Sequence, residues 1–98
     1  MTDVESVQTG ERYAIAKKTD GTWWSWGANA TGYLGFGGGD VTARNTPTEF
    51  TANLPANTID VRAMREDLLA MTSDGWIWAI GTHNATNGVW EQKLNVFA

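Results

Sequence analysis

The stretch Asp20-Gly21-Thr22-Trp23-Trp24-Ser25-Trp26-Gly27-Ala28-Asn29 decides the fold, because it joins a tight turn, a strand and a strand stop in ten consecutive positions. Thr19-Asp20-Gly21 is a hairpin signal: glycine accepts the positive φ that a two- or three-residue loop requires, and aspartate bonds its own backbone. Thr22 to Trp26 is bulky, aromatic or β-branched except at Ser25, the composition of a pleated segment covered on both sides. Gly27 ends it. A strand entered from a hairpin needs a partner before the turn; residues 12–18 supply that partner, and residues 4–7 form a further short β-prone segment ahead of it.

The same order returns further along the chain. At an offset of 54, Val7 falls on Val61, Ala16 on Ala70, Asp20 on Asp74, Gly21 on Gly75, Trp24 on Trp78 and Gly27 on Gly81. One inserted residue, His83, then moves Asn29-Ala30-Thr31 onto Asn84-Ala85-Thr86, and a further shift aligns Gly32 with Gly88. A repeat of this length is a supersecondary unit copied in tandem. The second copy therefore predicts strands over residues 59–62 and 67–72, a turn at Ser73-Asp74-Gly75, and a strand Trp76-Ile77-Trp78-Ala79-Ile80. The copies diverge after Gly27 and Gly81, where the first carries the long Gly35-Phe36-Gly37-Gly38-Gly39-Asp40 loop. Residues 45–50 read as extended, since the residue before Pro47 is pushed out of the helical region. Residues 89–97 supply the equivalent in the second copy. Residues 61–71 have some helical propensity, but the repeat argues for strand there, and no helix is expected.

Bulk properties narrow the function. The 98 residues, 42% hydrophobic, suit one compact unit subdivided into repeats. With no cysteine there are no disulfides, thiolates or Cys-ligated metals. Seven Lys and Arg stand against eleven Asp and Glu, and the basic residues are scattered apart from Lys17 and Lys18, so the clustered cations of a nucleic-acid surface are missing. No apolar run approaches the ~20 residues that span a bilayer. Residues 1–7 have neither a basic start nor an apolar core, so the chain is expected to be soluble and made in the cytoplasm without a cleaved signal. Six Trp and eleven Gly point to turn-rich β structure with aromatic packing.

The order strand, Asp-Gly turn, aromatic strand ending in Trp26-Gly27, then Asn29, Gly32-Tyr33-Leu34-Gly35 and Thr46-Pro47 resembles the RCC1 repeat. The second copy keeps Asp74-Gly75, Gly81 and Asn84, but has Ile80 where the family has Trp and lacks Gly-Xaa-Leu-Gly after Asn87-Gly88. The resemblance implies an all-β fold with a four-stranded propeller blade per repeat, residues 1–54 forming the first blade with its Gly-rich loop and residues 55–98 a second, divergent one. Family propellers usually have seven blades in one chain. Family members bind other proteins and some exchange nucleotide on small GTPases, an activity for which two blades retain too little surface.

Both faces of a blade are normally covered by neighbours, so two blades leave two outer faces wet, and each large side chain left exposed forgoes about 1.5–3 kcal/mol. Closure into a propeller ring by homo-oligomerisation removes that cost, with a trimer of six blades favoured by symmetry. Residues 3–7 and 93–97 are placed to complete a blade across a chain boundary. The expected role is that of a non-enzymatic assembly protein within a larger particle, such as a phage virion part. The other reading is a carbohydrate- or protein-binding propeller. A monomeric β-sandwich is the competing fold.

The inventory for catalysis is thin. His83 is the single histidine and lies at the insertion; Asp20 and Asp74 are equivalent turn residues rather than a carboxylate pair. The run from Gly35 to Gly39 lacks the Gly-Lys-Ser/Thr of a phosphate loop and ends in Asp40, so it reads as a flexible loop on a propeller face, and no cofactor or metal is expected. Asn29-Ala30-Thr31 and Asn84-Ala85-Thr86 fit the glycosylation sequon but occupy equivalent loops, which favours a structural role. Alternation sends Trp24 and Trp78 to one face and Trp23 and Ile77 to the other. The candidate binding residues are Trp24, Trp76, Trp78, Trp90, Tyr33, Asn29 and Asn84, indoles and a phenol being able to stack on sugars or grip a protein. Packing between blades is the favoured reading for Trp24, Trp26 and Trp78, less so for Trp76 and Trp90, whose positions the repeat does not fix. Asp20, Gly21, Gly27, Asp74, Gly75 and Gly81 are the structural turn residues.

Overall fold

The computed structural model describes residues 2–97. Its strands are β1 (Val4–Thr9), β2 (Tyr13–Lys18), β3 (Trp23–Gly27), β4 (Arg44–Glu49), β5 (Thr58–Met64), β6 (Asp67–Thr72), β7 (Trp76–Gly81) and β8 (Glu91–Asn95). They form two antiparallel four-stranded meanders, β1-β2-β3-β4 and β5-β6-β7-β8. Among the described residues the one helical element is a single 3-10 turn at Thr51–Asn53, and no helix is long and apolar enough to cross a membrane. Each sheet is completed by consecutive strands, β1 pairing with β2 and β8 with β7. The expectation that the chain ends complete a blade across a boundary is thereby corrected: both segments already have a partner in their own repeat.

The repeat is repeated in the backbone. Both first strands carry a bulge at the same place, between Val4 and Ser6 and between Thr58 and Asp60. Asp3 and Asn57 adopt positive φ at equivalent positions, a conformation their short polar side chains tolerate, and their carbonyls accept from Thr19 and Ser73. Gly27 and Gly81 leave their strands at φ 114° and 141°, where the chain crosses the preceding turn so closely that a Cβ would fall 2.7 Å from the Arg12 carbonyl oxygen and 2.4 Å from that of Glu66. Glycine at these strand exits is a steric requirement.

The core lies between the two sheets. It gathers Tyr13, Ile15, Trp23, Tyr33, Leu34, Phe36 and Phe50 from the first repeat and Val61, Leu68 and Ile80 from the second. The Tyr13 and Tyr33 rings lie 4.6 Å apart, and Phe36 meets Phe50 edge to face at 6.4 Å. Burial pushes the Tyr13 hydroxyl pKa well above its ordinary value, so it stays protonated and donates across the interface to the Asp67 carbonyl at 2.5 Å. The Gln8 amide reaches the neighbouring sheet as donor to the Val61 carbonyl at 2.8 Å and acceptor from the Ala63 N–H at 3.0 Å. Gln8→Ala leaves both groups of β5 without these partners; a loss of about 1–3 kcal/mol is expected in urea denaturation followed by tryptophan fluorescence.

The Gly-rich segment is the main departure from expectation. Instead of a flexible loop on one face, it folds through successive turns (Gly35 N–H to the Gly32 carbonyl, Asp40 N–H to that of Gly37) and buries Tyr33, Leu34 and Phe36. It is also tied to the second repeat: Gly39 N–H donates to the Gly88 carbonyl at 2.9 Å, and Gly88 N–H to that of Thr31 at 2.9 Å. Backbones this close leave no space for side chains, a Cβ on Gly32 falling 2.1 Å from the Gly88 Cα.

Candidate interaction faces

Strand alternation gives each sheet one face toward the core and one away from it. Register places Val7, Ala14, Ala16, Lys18, Trp24, Trp26 and Glu49 on the outward face of the first sheet. Trp24 and Trp26 are half-buried there, and Ala14 and Ala16 remain buried as the small residues opposite them. Lys18 Nζ lies 5.2 Å from the centre of the Trp24 ring, whose Nε1 donates to Thr22 Oγ1 at 2.9 Å. Thr2, Lys18, Trp24 and Pro47 line a shallow depression. The outward face of the second sheet carries Asp60, Arg62, Leu69, Met71, Ile77 and Ala79. A hollow there is lined by all of these except Ala79, with Ala70 at its base and Arg62 paired to Asp60 at 3.0 Å.

The outward faces are the counterparts of the inward ones. On the inward face of the second sheet, Val61, Ala70, Trp78 and Ile80 stand at the positions of Val7, Ala16, Trp24 and Trp26. Val61, covered by the first sheet, has no accessible surface, whereas Val7 is 56% exposed. Likewise Leu69, Met71 and Ile77 repeat Ile15, Lys17 and Trp23 on the inward side of the first sheet, where Ile15 and Trp23 enter the core. The molecule therefore shows one copy of an interblade interface and the two unlike halves of another.

The predicted site residues separate. Trp24 lies on an outward face. Trp76 and Trp78 share the inward face of the second sheet and are half-buried. Trp90, which has no counterpart fixed by the repeat, packs on the core and donates through Nε1 to the Gly35 carbonyl at 3.2 Å. Tyr33, Asn29 and Asn84, expected on exposed loops, are buried. Asn29 holds the Gly-rich loop, donating to the Asp40 and Thr42 carbonyls at 3.3 and 3.0 Å and accepting from Leu34 N–H at 2.9 Å. Asn84 donates to the Ala79 and Val89 carbonyls at 2.7 and 2.8 Å, while its Oδ1 has no partner among the described residues. These residues do not gather into a common sugar-stacking surface. The sequence signal for the asparagines was their equivalence in the repeat. The outward residues Trp26, Leu69 and Met71 were not singled out as binding residues, though the alternation that sorted Trp23 from Trp24 also sorts them.

The polar groups build loops rather than a reaction centre. Asp20 accepts from Thr22 N–H at 3.0 Å and Thr22 Oγ1 at 2.6 Å, hydrogen bonds that hold its carboxyl below its ordinary pKa and close the β2–β3 turn. Asp74 takes the Thr72 hydroxyl in the second copy. The turn glycines Gly21 and Gly75 have matching φ of 87° and 89°. Arg44, bonded to Asp40 at 2.8 Å, holds that carboxyl low and covers the Phe36 ring at 4.3 Å. His83 pairs with Asp67 at the rim. Among the described residues no three His, Asp or Glu side chains gather to hold a metal.

No family model matches the sequence, and no curated protein matches it. Solved structures do. Human WBSCR16 superposes with a TM-score of 0.68 at 22% identity, over 93% of this chain and 25% of that one. Prp20p from Saccharomyces cerevisiae gives 0.66 at 25% identity, over 84% and 19%. Yeast RCC1 (Prp20), in a structure with Kap60 bound, gives 0.71 at 20% identity, over 96% and 26%. The chain thus spans about a quarter or less of the length of these proteins. Its two sheets have the fold of blades in RCC1-like propellers.

Proposed function

We propose that this chain is a non-catalytic, protein-binding propeller module that docks through its outward sheet faces. The observation that carries the reading is the equivalence of those faces to the buried interblade interface: Val7, Trp24 and Trp26 on one side and Leu69, Met71 and Ile77 on the other stand where a propeller holds neighbouring blades. Half-buried indoles beside a lysine, and an apolar hollow with an Asp60–Arg62 pair at its margin, have the aromatic centre and polar rim of a protein interface. Of the similar structures, Prp20p is described by its binding to Gsp1p and histones, and yeast RCC1 is seen with Kap60. Those partners are not transferred, because the chain matches only a fraction of either protein. Association with further blades, ring closure included, satisfies both faces at once.

The test is site-specific photo-crosslinking with benzoylphenylalanine in place of Trp24 or Ile77, with Gly38 on the exposed loop as control. Adducts with one defined protein at positions 24 and 77, and loss of its purified binding on Trp24→Arg, are expected. Adducts confined to position 38, or none at all, would overturn the reading.

A further inference from the structure

Within the first blade, Ile15, Trp23 and Ser25 do not meet the second blade bare. Their own loop fills the space: Ser25 Oγ donates to the Leu34 carbonyl at 2.8 Å, and Tyr33, Leu34, Phe36 and Phe50 complete the core. The second blade has lost this device. Ala79 stands at the Ser25 position with no hydroxyl to hold a loop, and the connection over residues 82–90 is much shorter than that over residues 28–43. Trp90, the large side chain of that connection, turns inward to the existing core. Leu94, the counterpart of Phe50 by its pairing with Ile77, is 60% exposed where Phe50 has no accessible surface. With no loop folded over it, the outward face of the second blade is left open, and a hollow lies there over Leu69, Met71 and Ile77, beside Asp60 and Arg62.

The outward face of the first blade departs from its counterpart in the opposite sense. Where the covered face of the second blade presents Ile80, the first presents Trp26, a far larger side chain. A face lacking its filler and a face carrying extra bulk are complementary. The free edge matches in the donor half of the Gln8 contact. Gln8 bonds the Val61 carbonyl inside the chain; the residue at the Gln8 position in the second blade is Arg62, a donor, and the carbonyl at the Val61 position in the first is that of Val7.

We infer that the occupant of these faces is a second copy of the same chain, packed head to tail, with Trp26 of one copy seated in the Leu69–Met71–Ile77 hollow of the next. This rests on the reading of the outward faces as docking surfaces and names their partner. The contact continues the interblade interface already present, and being heterologous it propagates to a closed ring or a filament.

Complementary face variants test it by light scattering and sedimentation at several concentrations, with circular dichroism reporting the fold. The wild-type chain is expected to assemble beyond its 10.7 kDa monomer. Trp26→Arg and Met71→Arg are each expected to be monomeric, with association weakened more than ~30-fold, the loss of one interface hot spot. Each variant keeps one intact half of the interface, so the mixture is expected to form a complex that stops at one copy of each. Should Trp26→Arg not fold, Val7→Arg on the same face takes its place. A monomeric wild type, either single variant assembling like wild type, or a mixture that stays monomeric would overturn the inference. Photo-adducts at positions 24 and 77 with a different protein would leave the docking reading standing while removing the second copy as occupant.

Discussion

Phe50→Ala is expected to lower the stability of the chain by about 3–5 kcal/mol, seen as a lower urea midpoint with little change in the slope. Phe50 has no accessible surface, and its ring sits so close to Gly35 that a Cβ there would lie 2.9 Å from it. Its backbone N–H is bonded to the Trp23 carbonyl at 2.9 Å, so the chain path is pinned and the surrounding side chains cannot collapse into the vacancy. Total stability for a domain is about 5–15 kcal/mol, so a loss of this size removes a large part of it. Leu94→Ala, at the equivalent but exposed position, is expected to change the midpoint by no more than about 0.5 kcal/mol under monomeric conditions. Equal effects at the two positions would contradict the placement of the core between the sheets.

Asn29→Ala is expected to cost on the order of 3 kcal/mol. The substitution leaves the buried Leu34 N–H without an acceptor and releases the Asp40 and Thr42 carbonyls, and an unsatisfied buried group costs about 1–3 kcal/mol. Because Leu34 is fully buried, freeing its loop also loosens the core, and amide hydrogen exchange at residues 33–36 should speed up more than at β6. Exchange rates unchanged in that segment would mean that the loop is held by its apolar contacts alone.

The strands were legible because the evidence for them is local and came twice. Asp20-Gly21 and Asp74-Gly75 announce a turn by backbone chemistry, and the aromatic runs after them alternate with period two, so the faces of Trp23 and Trp24 could be told apart. Boundaries shifted by a residue or a few: β2 begins at Tyr13 rather than Arg12, and β8 covers Glu91–Asn95 within residues 89–97. Tyr33 and Phe36 were not legible as core, because a glycine-rich segment of turns has no period from which to read an inside. Their burial is settled by long-range contacts, with Tyr13 and with Phe50. Trp90 lay in a truncated connection without a counterpart, so its inward turn toward Gly35 had no sequence signal. The asparagines did carry one. Residues recurring at equivalent loop positions in unlike surroundings are better read as loop staples than as ligands for a third party.

Seven of the ten side chains in the central cluster come from the first repeat and three from the second. In order of synthesis, the chain delivers most of its core before the surface that covers it exists. A nascent chain carries the layer of Tyr33, Leu34, Phe36 and Phe50, folded over Ile15 and Trp23, without its outer cover until Val61, Leu68 and finally Ile80 have emerged. The second repeat thus acts as the late-arriving lid of a core prepared upstream, and the interval between Phe50 and Ile80 is when translation leaves this protein most exposed to aggregation.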